Sequence, residues 1–241
     1  MSQSFLSLNV ERDKHYDLIV PFLKERKPDI ACFQEIYEKD LAVFTEALGE
    51  GSMTFVPMNK QDEDVQGIAI FSRTAPESTR FAYYHGDGTI VRHDKSNLED
   101  NYATQNLVLL VADIVVGGYR YRIATTHFTW TPDGEVNDMQ RKDMEALMPL
   151  LEKEGELILC GDFNAARGKE IFSAFAARYK DNIPEHYTSS IDGNIHRAGD
   201  LPYMVDVLFT TPGYTATDVA LVGGVSDHCA VVATVTSSLS N

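Results

Sequence analysis

The chain has 241 residues, 44% of them hydrophobic and 24% charged, which excludes disorder, collagen and coiled coil as readings. Lys and Arg number 21 against 36 Asp and Glu, a formal net charge of −15 that argues against a protein coating long nucleic acid. An enzyme acting on phosphodiesters stays open, because a bound divalent cation reverses the field inside a small acidic cleft.

The chain opens Met1-Ser2-Gln3-Ser4 directly before apolar residues. With no basic stretch and no long apolar segment there, no signal peptide is expected. No run approaches about 18 apolar residues, so no membrane span is expected. A strand is predicted over 5–10. Helical periodicity follows over 13–26, with Tyr16, Ile19, Val20 and Leu23 on one face. Next come a strand at 30–34, a helix at 38–48 and strands at 54–57 and 67–72. The stretch 80–106 is polar, contains glycine and is the least regular, a candidate active-site loop. Strands at 107–115 and 119–126 flank Val116-Gly117-Gly118, which reads as a hairpin turn. A helix at 138–153, a strand at 157–161, a helix at 169–179 and strands at 205–210 and 230–236 complete the order. Residues 236–241 read as a frayed tail. Cys32, Cys160 and Cys229 cannot all pair within the chain. Their apolar, strand-like settings indicate free thiols in a reducing compartment, so a cytoplasmic location is expected. No repeat or linker divides the chain, and 1–241 reads as one domain. Some βαβ units mixed with hairpins indicate an α/β sheet pair covered by helices rather than a doubly wound parallel sheet.

Polar groups recur at strand ends, where layered α/β folds bring them to one rim. Taken singly, each has a plain structural reading. Asp162 after Gly161 fits a turn or a helix cap. Asn9 fits a strand-end turn, Glu35 fits a cap for the next helix, and His127 fits a hydrogen-bonded core histidine. Asp227-His228 fits a turn pair. Asp206 between Val205 and Val207 is harder to dismiss, since a carboxylate in an apolar strand is costly without a partner.

Together, Leu8-Asn9, Gln34-Glu35, the 67–73 stretch Gly-Ile-Ala-Ile-Phe-Ser-Arg, Thr126-His127-Phe128, Gly161-Asp162-Phe163-Asn164, Asp206 and Ser226-Asp227-His228 resemble the endonuclease/exonuclease/phosphatase superfamily. This group of metal-dependent phosphoesterases includes deoxyribonuclease I and exonuclease III. The motifs stand in the family's order and span nearly the whole chain. The resemblance implies a four-layer α/β sandwich, two packed, mostly antiparallel mixed sheets flanked by helices, with the site where the loops of both sheets meet. Phosphodiester hydrolysis needs a hard cation, a positioned water and donors for the developing charge. Glu35, Asn9 and Asp227 offer oxygen ligands suited to Mg²⁺ or Mn²⁺. No Cys/His cluster has zinc spacing. Asp162 is placed to orient or deprotonate the attacking water, with the Asn164 amide on the same phosphate. His228 is the donor to a non-bridging oxygen, held in the right tautomer by Asp206. His127 stands on the other side of the phosphate, as stabiliser or leaving-group donor. Two departures stand out. The family's arginine before the strand that starts at Leu107 is absent, which leaves Gln105 or Asn106 to take part of its role uncharged. Val10-Glu11-Arg12 offers no obvious second metal carboxylate, with Asp13 as a substitute.

The substrate does not follow from the family. Trp130 can stack a base or an aromatic leaving group, although a lone Trp is more often packing. Arg92, His93, Lys95, Arg167, Lys169 and Arg197 are the candidate basic contacts. The expected activity is Mg²⁺-dependent phosphodiester hydrolysis in nucleic acid, on single strands or near ends. The alternative is a small soluble or lipid-derived phosphoester. A catalytically silent binding module is a third reading, and the intact set of Glu35, Asp162, Asn164 and His228 speaks against it. A monomer without membrane contact is expected.

Overall fold

The computed structural model describes residues 1–240. In chain order the first elements are β1 (Ser2–Asn9), α1 (Tyr16–Arg26), β2 (Ile30–Tyr37), α2 (Leu41–Leu48), β3 (Ser52–Gln61), β4 (Asp64–Ser72), β5 (Ser78–His85) and α3 (Leu98–Ala103). They are followed by β6 (Leu107–Val116), β7 (Tyr119–Thr125), α4 (Asp138–Glu154), β8 (Ile158–Asp162), α5 (Glu170–Ala176), β9 (Lys180–Asp181), β10 (Asp206–Thr210), β11 (Tyr214–Val222) and β12 (Ala230–Ser237). The strands form two six-stranded sheets, ordered β11-β12-β1-β2-β4-β3 and β5-β6-β7-β8-β10-β9. In each sheet one pair is parallel, β1–β2 and β7–β8, because a helix carries the chain back across the face. The other pairs are antiparallel.

Period-two alternation divides the central strands between two cores. Phe5, Ile70, Leu110, Ile123, Leu208 and Val231 fill the space between the sheets. On the outer face of the first sheet, Leu8, Phe33 and Phe71 pack with Ile19 and Leu23 of α1 and Phe44 of α2. On the outer face of the second, Leu109, Leu159 and Phe209 pack with Leu147 and Leu151 of α4 and Phe175 of α5. β6 lies between two apolar layers and is therefore apolar on both faces from Leu107 to Ala112, before Asp113 interrupts the run. The result is the four-layer α/β sandwich expected from the motifs. α4 begins where the Asn137 side chain accepts the Gln140 N–H and ends at Gly155, whose φ of 72° suits glycine.

The structure corrects the reading at several places, the smallest being β9, a two-residue edge strand that the sequence pattern passes over. The stretch 80–106 is not all loop: it contains most of β5, then α3, capped by the Asn97 side chain on the Asp100 N–H. β5 is an edge strand with one face open, Phe81 being 57% exposed, so its pattern lacks the apolar run of a central strand. β11 went unpredicted for the same reason. It is an edge of the opposite sheet, with only Tyr214 buried and an irregular register between Thr217 and Ala220. The C-terminal residues through Ser240 are tied down rather than frayed. β12 runs to Ser237, the Leu239 carbonyl accepts the Arg120 N–H, and Ser240 bridges Tyr119. Asn241 lies outside the described residues. The three cysteines are free, and among the described residues no helix is long and apolar enough to cross a membrane.

Candidate active site

Both parallel pairs end at the same rim of the sandwich. Asn9 and Gln34 are register partners there in the first sheet, and Asp206 and Asp162 in the second. A cleft of about 540 Å³ opens between them, lined among others by Asn9, Glu35, His127, Asp162, Asp227 and His228. Three local backbone features aim these groups. β2 is bulged between Phe33 and Ile36, and Glu35 takes a φ of 59°, so its carboxylate leaves an otherwise buried strand. Gly161 takes a φ of 132° because β8 passes against the Thr126 carbonyl, where any Cβ would approach to 2.0 Å. Asn164 takes a φ of 47°, which lets its N–H donate to Asp162 Oδ1 at 2.8 Å.

The other oxygen of Asp162 is the focus of the site. Asn9 Nδ2 donates to Oδ2 at 3.1 Å, with His127 Nε2 at 3.5 Å and His228 Nε2 at 3.7 Å from it. His228 Nδ1 bonds Asp206 Oδ2 at 2.7 Å. Burial alone would depress that imidazole, but the carboxylates of Asp206 and Asp162 outweigh it and hold the pKa well above the usual histidine range. Asp206 is buried with its Oδ2 bonded to His228, which accounts for an aspartate between two valines. The Ser190 hydroxyl accepts its backbone N–H. Gln34 ties the two sheets together, its amide nitrogen reaching Thr125 Oγ1 at 3.1 Å across the gap between them.

Asp227 lies beside Glu11 and His15, with ligand atoms of all three within 4.8 Å of one another. Burial pushes the Asp227 carboxyl up, and Glu11 and Glu35 add to this against the pull of His228, to about 6. Burial also pushes Glu11 up, but hydrogen bonds from Lys14 and His15 outweigh it and hold it at about 2. Arg12 lies 3.5 Å from Glu11 and 3.8 Å from Glu35. Carboxylate oxygens crowded at one rim, with an imidazole beside them, fit a hard divalent cation. Glu35, Asp227 and Glu11, with His15, are the residues that would hold it.

The sequence pattern passes over Glu11 and His15, and it points to Asp13, which is exposed and outside the cleft. The signal was a carboxylate two residues past Asn9, hidden because Glu11 and Arg12 both take positive φ and fold the chain back into the site. Several expected contacts stand elsewhere. Asn9 turns its amide nitrogen to Asp162 and to Glu35, and its oxygen accepts the Glu11 N–H, so it bridges the carboxylates. Asn164 binds the Phe128 carbonyl through its amide and serves the cleft by holding Asp162. Asn106 is buried. It donates to the Met58 and Thr89 carbonyls and accepts the Gly88 N–H, so its groups hold the loop and none is left for substrate. Gln105 and Trp130 do line the cleft, with Trp130 45% exposed. Of the basic candidates, His93, Lys95 and Arg197 line it. Arg92, Arg167 and Lys169 are paired with Asp62, Asp181 and Glu135. Asp143 was also missed. Buried on α4, it accepts the Tyr102 hydroxyl at 2.8 Å and the Thr129 hydroxyl at 2.5 Å, joining α3 to the loop that carries Trp130.

The model of the Endonuclease/Exonuclease/phosphatase family matches residues 6–228. Among curated proteins none matches. The fold is similar to that of an endonuclease/exonuclease/phosphatase from Bacteroides vulgatus (TM-score 0.75, 14% identity, 98% of this chain and 99% of that one). It is also similar to a mannosyl-6-phosphatase from Bacteroides thetaiotaomicron (0.72, 15%, 97% and 99%). A third similar structure is TDP2 from D. rerio, complexed with a single-strand DNA product (0.70, 16%, 98% and 99%). The match over nearly the whole length, on a sandwich whose rim gathers these carboxylates and imidazoles, places the chain in the Endonuclease/Exonuclease/phosphatase family, the metal-dependent hydrolases of phosphoester bonds.

Proposed function

We propose that this chain uses a cation of the Mg²⁺ or Mn²⁺ class to hydrolyse a phosphoester that enters the cleft end-on, as a small molecule, rather than an internal bond of a long duplex. The observation that carries this reading is the form of the site. Walls from β3 and β4, from residues 93–105, from Trp130 and Pro132 and from His196 and Arg197 surround a volume of about 540 Å³, in the range of small-molecule sites. When bound, the cation supplies charge neutralisation at the phosphate and polarises its oxygens. Asp162 orients and deprotonates the attacking water; the Asn164 N–H and the Asn9 amide fix its two oxygens. His228, kept charged by its carboxylate neighbours, donates to a non-bridging oxygen. His127, across Asp162 from it, donates to the leaving group. The similar structures include a mannosyl-6-phosphatase and a TDP2 holding single-strand DNA product, so a small ester and a single strand are both represented on this fold.

A second reading, the end of a single-stranded nucleic acid, is favoured by Trp130, whose exposed indole at the cleft offers a base a stacking face. The deciding experiment assays p-nitrophenyl phosphate, bis-p-nitrophenyl phosphate, small phosphoesters and short oligonucleotides with Mg²⁺ or Mn²⁺ and again with EDTA. Hydrolysis abolished by EDTA, with small esters preferred, supports the proposal. Preference for single-strand ends supports the second reading, and no hydrolysis with either cation overturns both.

A further inference from the structure

One wall of the cleft is built almost wholly from uncharged amides. Asn59 and Gln66 face each other as register partners of β3 and β4. Gln61 Nε2 reaches Asn59 Oδ1 at 3.3 Å and His93 Nδ1 at 2.7 Å. Beyond the imidazole, Gln105 Nε2 lies 3.1 Å from His93 Nε2 and 2.9 Å from Asn101 Oδ1. All six side chains line the cleft. Gln66 is 7% exposed, yet among the described residues its side chain has no hydrogen-bond partner. Its amide therefore opens on the cleft with its donors and acceptor free for what enters.

The chemistry of the row limits what that can be. Burial, with Lys95 adding to it, pushes the His93 pKa down to about 4, so its ring is neutral near pH 7. A neutral imidazole has one N–H and one lone pair. Placed between two glutamines, it needs an oxygen from one and a nitrogen from the other. The two amides therefore stand in opposite senses about the ring, one offering it a nitrogen and the other an oxygen, and the row as a whole holds both donors and acceptors. Phosphate oxygens only accept, so this wall does not suit a phosphodiester backbone. Hydroxyl groups both donate and accept, and suit it at every position. The amides come from β3, from β4 and from the 93–105 segment, so they approach from several directions. A nucleobase presents its polar atoms in one plane, whereas a saturated ring radiates its hydroxyls outward. The wall contains no aromatic ring other than the imidazole.

We infer that this amide wall recognises the organic part of the substrate and that this part is a ring bearing several hydroxyl groups, a sugar or cyclitol phosphate. The inference rests on the phosphoesterase reading for its kinetics, and a binding measurement separates the two. With Mg²⁺ present, hydrolysis of a hexose phosphate, an inositol monophosphate, adenosine monophosphate and p-nitrophenyl phosphate is compared in the native chain and in Gln66→Leu. The polyol esters are expected to have the lowest KM. Gln66→Leu should raise that KM about tenfold more than it raises the KM for p-nitrophenyl phosphate, with kcat ratios little changed. Circular dichroism checks the fold, and Gln105→Leu replaces Gln66→Leu if that variant does not fold. Equal KM changes on all esters, or preference for the nucleotide, would overturn the assignment. Calorimetric titration with the same hexose and inositol phosphates reads the wall even if nothing is hydrolysed. Binding weakened by Gln66→Leu supports it, and absence of binding overturns it.

Discussion

At the scale of single residues, the family's chemistry condenses onto two carboxylates with different roles. Glu35 is turned out of a buried strand by a positive φ and joins the acidic group at the rim. Glu35→Gln keeps the shape and removes the charge. It should lower kcat roughly 10²- to 10⁴-fold and raise the Mg²⁺ concentration needed for half-activation. An unaltered Mg²⁺ dependence would remove Glu35 from the metal group. Asp206 touches no substrate in the proposed arrangement; it orients His228 through a 2.7 Å bond. Asp206→Asn, which can stabilise the wrong tautomer, should cut kcat roughly 10²- to 10⁴-fold with KM within a few-fold, the mark of a positioning residue. Legibility in the sequence followed the same division. Asp162, His127, Asp227 and His228 stand in contiguous motifs at strand ends, Asp206 stands out as a carboxylate between valines, and the fold brings all five together. Glu11 and His15 could not be read that way, because two successive residues of positive φ place them and neither is glycine. Asn106 and Asn164 misled for the opposite reason. An amide reads the same in sequence whether it faces a ligand or a backbone carbonyl.

At the scale of elements, the two βαβ units set the rim, and two connections between elements hold it in place. β7 and β8 pass so closely at Gly161 that a methyl group there meets the Thr126 carbonyl. Gly161→Ala should destabilise the fold by about 2–4 kcal/mol and misplace both His127 and Asp162, so activity falls further than stability alone explains. Thermal denaturation together with kcat at a temperature where the variant is folded would check it. Asp143 makes the second connection, fastening α3 and the Thr129–Trp130 turn to α4. Asp143→Ala leaves two hydroxyls without their acceptor. It should cost about 2–4 kcal/mol in denaturant unfolding and raise KM more than it lowers kcat, since both fastened segments are walls of the cleft. The central strands and the four longer helices were legible from their apolar periodicity. β5, β9 and β11 were not: all three lie at sheet edges, β5 has no buried residue and β11 only Tyr214, and β9 is two residues long, so none shows an apolar run or a clean alternation.

At the scale of the whole molecule, charge opposes the one function that the family name first suggests. A chain of net charge −15 repels polyanions at long range, while Arg12, Lys95 and Arg197 line the cleft and a bound cation would add to their local attraction. A small ester brings one phosphate and meets only the attractive part. A duplex brings many, most of them facing acidic surface beyond the cleft. At low salt, kcat/KM should therefore be far higher for a small ester than for an internal bond of a duplex. A short single strand should fall between them, since it can bend one phosphate inward and stack a base on Trp130 for about 1–3 kcal/mol. Raising ionic strength toward about 0.15 M shortens the screening length to about 8 Å and removes most of the long-range penalty. The gap between duplex and small ester should narrow accordingly, with the small ester itself losing modestly as its local attraction is screened. Trp130→Ala should raise KM for the single strand and leave the salt trend of the duplex intact, because the two effects have separate origins. The measurement is a salt series of kcat/KM for the three substrates at fixed Mg²⁺. A duplex preferred at low salt, with affinity falling steeply as salt rises, would mean that a basic surface track exists despite the net charge, and would return nucleic acid to first place.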